Sequence, residues 1–137
     1  MRLYQMLYCS QRNQNVDFEL ERLVKNAGDR NREKNVTGAL WTTGNYIVQV
    51  LEGSRKDLSE IFMKIYKDRR HKNIELMSVG EITKRRFPKW GFGVLTDTEK
   101  NRSIVLKYST VDKINPYTMN ADSMLMLMEE LANNQPN

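Results

Sequence analysis

Apolar and polar positions along this chain fall into runs and spacings that predict most of its elements. Residues 3–9 are rich in aliphatic and aromatic side chains and read as a first strand, ended by a polar stretch at 11–15. Leu20, Leu23, Val24 and Ala27 then recur at helical spacing and give one apolar face. Residues 36–41 form a second strand, which Thr43-Gly44-Asn45 turns directly into residues 46–51 as a hairpin. Ser54, with Asp57 three residues on, caps a second helix whose stripe is Leu58, Ile61, Phe62 and Ile65. Strands follow at 74–82 and 90–95. The order β-α-β-β-α-β-β predicts an α+β fold, a ferredoxin-like split βαβ sandwich.

The tail adds two helices. Ile104, Leu106 and Tyr108 suggest a short helix or an extended piece, and Pro116 breaks the chain before a helix at 120–132. Met124, Leu125, Leu127, Met128 and Leu131 make its stripe broader than a helix lying on one surface needs. Packing on the sheet face that the first two helices leave bare accounts for most of it. A Met-rich contact with another chain accounts for the rest.

One residue breaks the apolar pattern. Within 46–51, Ile47, Gln49 and Leu51 share one face while Tyr46, Val48 and Val50 share the other. Both faces are apolar, so this is a central strand covered on both sides, and Gln49 is buried and must be hydrogen-bonded. Tyr8 and Ser10 share a face of the first strand. The split βαβ order sets the first and third strands side by side, so Tyr8 can meet Gln49. A carboxamide offers two donors and two lone pairs. Tyr8 fills one or two of these sites; a polar ligand, a water or a third side chain must fill the others.

Composition narrows the class. A chain of 137 residues with 39% hydrophobic and 28% charged residues is one ordinary globular domain in size and make-up. One cysteine, Cys9, excludes an internal disulfide, and one histidine, His71, excludes the common zinc constellations. No apolar run reaches membrane-spanning length and no signal-peptide pattern opens the chain, so a cytoplasmic protein is expected. The net charge of +5 is concentrated at Arg69-Arg70-His71-Lys72 and Lys84-Arg85-Arg86. These clusters suit a nucleic-acid or phosphate-bearing partner, but from charge alone solvated cationic turns are the favoured reading. No nucleophile–base pair or metal cluster emerges, so no enzyme is expected.

Five separated stretches in order carry a family resemblance: "LYCS", "NREKNVTGAL", "VQVLEG", "IYKDRRH" and "RRFPKW". Over most of residues 1–95 the chain resembles the BLUF family of flavin-binding blue-light receptors. Its tail looks like the short stand-alone members of the PixD type. The resemblance implies a flavin-binding domain at 1–96 and, at 97–137, a helical extension packed on the sheet or used in oligomerisation. It implies FAD between the two sheet-packed helices, with FMN or riboflavin also fitting.

Carried over residue by residue, Tyr8 and Gln49 are the photochemical pair. Asn31 clamps the ring's edge, Ser10 belongs to the same polar cluster, and Leu23 and Ile65 pack against the ring. Asn35 is read as a turn residue before Val36. Asp68, Arg70 and His71 match a stretch near the flavin, although a cap at a helix C-terminus is the alternative for His71. Trp90 and Phe92 stand on the relay strand. Phe92 takes the place of a family methionine, so the output relay is expected to differ. The resemblance further implies a homo-oligomer and a downstream, response-regulator-like partner, with no membrane.

Two other readings compete. "KWGFGVL" superficially matches an RNA-binding signature, but it follows both helices and puts Trp90 where that signature has glycine. An acylphosphatase-like enzyme needs a phosphate-cradling loop after the first strand; Arg12 is there, and glycine is not.

Overall fold

The computed structural model describes residues 2–15 and 19–133. In chain order the elements are β1 (Leu3–Arg12), α1 (Leu20–Glu33), β2 (Thr37–Thr43), β3 (Tyr46–Gly53), α2 (Arg55–Lys67), β4 (His71–Ile82), β5 (Gly91–Val94), α3 (Glu99–Val105) and α4 (Ala121–Asn133). The strands form one sheet in the order β4-β1-β3-β2-β5. β1 runs antiparallel to both β3 and β4, and β5 joins the far edge parallel to β2. This is the α+β ferredoxin-like arrangement that the element order predicts, with α3 and α4 added.

Alternation along the central strands separates two cores. Met6 and Leu51 point to one face, where they meet Leu58 of α2, while Leu40 and Ile47 meet Val24 of α1. Leu7, Cys9, Val48 and Val50 point to the other face, where α3 and α4 bury Ile104, Val105, Met124, Leu125, Leu127, Met128 and Leu131. The broad stripe of α4 therefore belongs to the core, and of its methionines only Met126 is exposed. Three of the core-closing helices, α2, α3 and α4, are capped by their own sequence, whereas Glu19 before α1 makes no side-chain cap. Ser54 Oγ accepts from the Asp57 N–H (3.1 Å), Thr98 Oγ1 from the Asn101 N–H (3.1 Å), and Asn120 Oδ1 from the Asp122 N–H (2.8 Å).

Several boundaries move. β1 continues through the polar residues Gln11 and Arg12 because they pair with Tyr46, Lys72 and His71 on its two sides. β4 correspondingly starts at His71 rather than at 74, with irregular register opposite Leu7/Tyr8 and Cys9/Gln11. Asn35 takes a positive φ of 58°, closing α1 in the left-handed conformation that asparagine tolerates. Trp90 lies just outside β5.

A buried acid near the end of β3 holds the loop between β4 and β5. Glu52 is fully buried, and its carboxylate accepts from Gln5 Nε2 (2.8 Å), the Arg86 N–H (3.2 Å) and the Phe87 N–H (2.8 Å). A buried donor left without its acceptor costs about 1–3 kcal/mol, so the two loop N–H groups on this carboxylate, which Gln5 of β1 also holds in place, make the loop hard to displace. Arg85 adds bonds to Thr37 Oγ1 and to the Asn35 and Glu52 carbonyls, and Arg86 pairs with Glu129 of α4.

Candidate functional site

The first two helices do not close over the whole sheet. Their C-terminal halves part to leave a cleft of about 640 Å³. Its walls are apolar: Val24 and Ala27 from α1, Ile61 and Ile65 from α2, and Leu40 and Ile47 from the sheet. Its floor carries Tyr8 and Gln49, which are direct cross-strand partners in the β1–β3 register. That adjacency follows from strand order and side-chain period alone.

Tyr8 and Gln49 are both buried, and the Tyr8 hydroxyl donates to Gln49 Oε1. A phenol that donates must meet oxygen, so the amide's other end, Nε2, is the end left over. Among the described residues no group bonds to it, and Gln49 lines the cleft. Burial, and secondarily the negative charge of Asp68, push the Tyr8 phenol well above its usual range. It therefore keeps its proton at any ordinary pH. The ring of Tyr8 is walled edge-on by Phe62 and His71, with centroids at 5.9 and 6.3 Å.

Asn31 stands across the cleft, 6% exposed, and its carboxamide too has no partner among the described residues. Two buried amides thus present unspent hydrogen-bonding groups to one apolar slot of ligand size. Such an arrangement receives a flat, largely apolar ring with polar edges. A flavin's ring system has that character, so the residues present fit the cofactor that the family resemblance implies.

The remaining expected site residues divide. Ile65, Asp68, Arg70 and His71 line the cleft. Asp68 and Arg70 spend themselves on each other, with Arg70 Nε 2.8 Å from Asp68 Oδ1, and this bond holds the Asp68 carboxyl below its usual range. His71 is also wired into the protein. Its Nε2–H donates to the Ile65 carbonyl (2.6 Å) and its Nδ1 lies 2.9 Å from Ser10 Oγ. His71 is thus a cap on the last turn of α2 as well as a wall of the cleft. Ser10, fully buried, sits behind His71 and does not line the cleft, so its expected contact with the cofactor becomes support for His71. The Leu23 side chain lies outside what is described. Asn35 is an exposed turn residue away from the cleft. Trp90 and Phe92 do not line the cleft either; both pack against the cluster of Val24, Leu40 and Ile47 that does.

Sequence reasoning anticipated Arg70 but missed the rest of the rim. Arg30, Lys34, Lys64, Lys67 and Arg70 surround the mouth, against only Glu33 and Asp68. Their signal was present as basic residues in or beside the last turns of α1 and α2. There the helix dipole already favours cations, which made them look merely structural.

Comparison with known proteins identifies the family and the fold. The family model described as BLUF, "Sensors of blue-light using FAD", matches residues 3–93. The chain is 36% identical over 73 residues to the blue light- and temperature-regulated antirepressor BluF of Escherichia coli, covering 53% of this chain and 18% of that protein. It is 35% identical over 71 residues to the photoactivated adenylate cyclase subunit beta of Euglena gracilis, covering 52% of this chain and 8% of that one. The chain therefore spans less than a fifth of these relatives. Among solved structures, BlsA in its photo-activated state superposes with a TM-score of 0.85 at 25% identity over 98% of both chains. BlrB in its dark state, 24% identical over 95% of this chain and 97% of that one, shares the fold with a TM-score of 0.72.

Proposed function

The chain belongs to the BLUF family, sensors of blue light using FAD, and from that premise we propose that it is itself a blue-light sensor, cytoplasmic and without enzymatic activity, holding a flavin non-covalently between α1 and α2. The observation that carries this reading is the Tyr8–Gln49 pair, with one end of the amide engaged and the other free on the cleft. A flavin bound there absorbs blue light and, when excited, is a strong oxidant. Tyr8 is the side chain on the cleft floor able to give up an electron and a proton together. Gln49 accepts the hydroxyl at one end and offers N–H groups at the other. Rotating or tautomerising it exchanges donor for acceptor on the cleft side without creating net charge. An ionised glutamate could only accept, so it could not perform that exchange.

The rim supports a finer reading, that the cofactor carries phosphate. Arg70 is bound to Asp68, and Lys34 lies 3.7 Å from Glu60, which leaves Arg30, Lys64 and Lys67 at the mouth. Titrating the flavin-free protein with FAD, FMN and riboflavin tests both levels. At low salt the phosphate-bearing flavins are expected to bind roughly tenfold more tightly than riboflavin, about 1.4 kcal/mol. The gap should close as salt screens the rim. Equal affinities at low salt contradict the phosphate assignment, and no uptake of any flavin contradicts the sensor itself.

Output is assigned to residues 97–137, acting through self-association and a separate partner of response-regulator kind. Leu106, Val111 and Met126, all exposed, support a contact surface there. Size-exclusion chromatography should show elution that differs between darkness and blue light; one identical monomer peak in both would remove self-association from the account.

A further inference from the structure

Gly28 lies in the middle of α1 and is buried. A Cβ at this position would stand 2.5 Å from Trp90 Nε1 and 2.6 Å from Cδ1. The pyrrole edge of the indole therefore fills the space that any other side chain would take. Val24, Gly28 and Asn31 follow one another on the same helical face, about one turn apart. Val24 packs on Leu40 and Ile47, Gly28 rests on Trp90, and Asn31 reaches the cleft. The indole is thus the spacer between α1 and the sheet, one turn before the amide that faces the cleft.

Trp90 has little room to withdraw. The Phe87 N–H is bound to buried Glu52, and Gly91 is already paired with Ala39 in the sheet. Only Pro88, Lys89 and Trp90 lie between these two anchors. The indole also bridges the two clusters under the helices, touching the group around Leu51 and Leu58 and the group around Val24 and Ile47.

We propose that Gly28 is a positioning residue of the light sensor: by seating the Trp90 indole it sets the height of α1 over the sheet, and so the reach of Asn31 into the cleft. This rests on the flavin reading above, and it assigns a role that no cleft contact of Gly28 reveals. Helix propensity alone favours alanine over glycine at an interior position, so propensity and notch predict opposite outcomes for Gly28→Ala.

The experiment compares the wild-type protein with Gly28→Ala, Trp90→Phe and the double variant, each loaded with FAD. Gly28→Ala should red-shift the tryptophan emission, with Trp90→Phe as the blank for Trp41. It should also weaken FAD binding by roughly tenfold, the scale of one lost hydrogen bond, and change the dark-recovery rate. In the double variant the smaller phenyl ring should leave room for the methyl group and return affinity and recovery to the Trp90→Phe values, a strongly non-additive cycle. Unchanged emission and affinity in Gly28→Ala overturn the proposal, as do additive effects in the double variant. Should Gly28→Ala fail to fold, folding of the double variant supports the notch and its failure overturns it. If the wild-type protein takes up no flavin, the sensor reading falls, while the emission comparison still decides the contact.

Discussion

Gln49→Leu should take up flavin and show no red shift under blue light. Leucine nearly matches the volume of glutamine and suits the apolar walls formed by Leu40, Ile47 and Ile61. What it removes is the group that is a donor at one end and an acceptor at the other. Two consequences follow on different scales. The buried Tyr8 hydroxyl loses its acceptor, Gln49 Oε1, which costs about 1–3 kcal/mol of stability, readable as a lower urea midpoint. The cleft loses one N–H donor, which should weaken flavin binding by roughly tenfold at most. The spectral response, by contrast, should vanish altogether, because Gln49 is the amide joined to Tyr8, while the other cleft amide, Asn31, stands across the cleft without that bond. A light-minus-dark spectrum unchanged from wild type would take Gln49 out of the mechanism.

Tyr8→Phe has the second large effect, and it separates packing from chemistry. The aromatic ring stays between Phe62 and His71, so the cleft keeps its shape and flavin affinity should stay within about threefold of wild type. Only the hydroxyl goes, and with it the proton that burial and Asp68 hold on the phenol. Because that pKa is raised, the wild-type photoresponse should not depend on phenol ionisation anywhere in the ordinary pH range. The Phe variant should lack the response at every pH. Flash absorption checks this: a full-size red shift in Tyr8→Phe would show that the electron and proton come from elsewhere.

The parts of the site that were legible in the sequence share one property: they follow from periodicity within a known element order. Alternation put Gln49 on a buried face, and the split βαβ order put β1 beside β3, so their pairing needed no coordinates. Helical spacing likewise placed Val24 and Ala27 of α1, and Ile61 and Ile65 of α2, on faces that turn out to line the cleft. What was illegible depends on segments remote in sequence. Glu52 before Gly53 reads as a solvated acid at a strand end, and only the return of residues 86–87 makes it a buried anchor. Gly28 reads as a weak point in a helix until Trp90 is seen against it. For His71 the sequence left two readings open, a cleft residue and a helix C-terminal cap, and it is both: it lines the cleft while Ser10 and the Ile65 carbonyl occupy its ring nitrogens. The rim cations sit at helix ends, where local electrostatics alone would place them.

The departure at Phe92 also gains a physical setting. Phe92 lies beside Leu40 in the β2–β5 register and packs on Val24 and Ile47, off the cleft floor. Gly93 on the same strand has no Cβ because the Trp41 ring fills that space, at 2.2 Å from where one would be. β5 is therefore fitted closely to β2 on both faces, with aromatic bulk doing the work of longer side chains.

The central proposal is that a buried amide, bonded to a tyrosine at one end and facing the cleft at the other, exchanges donor for acceptor when the flavin-loaded protein is illuminated. Its most direct test is the absorption spectrum of the purified, flavin-loaded protein before, during and after blue light. The account predicts a shift of the flavin band to longer wavelength that reverses in the dark. A band that stays in place through illumination would contradict it.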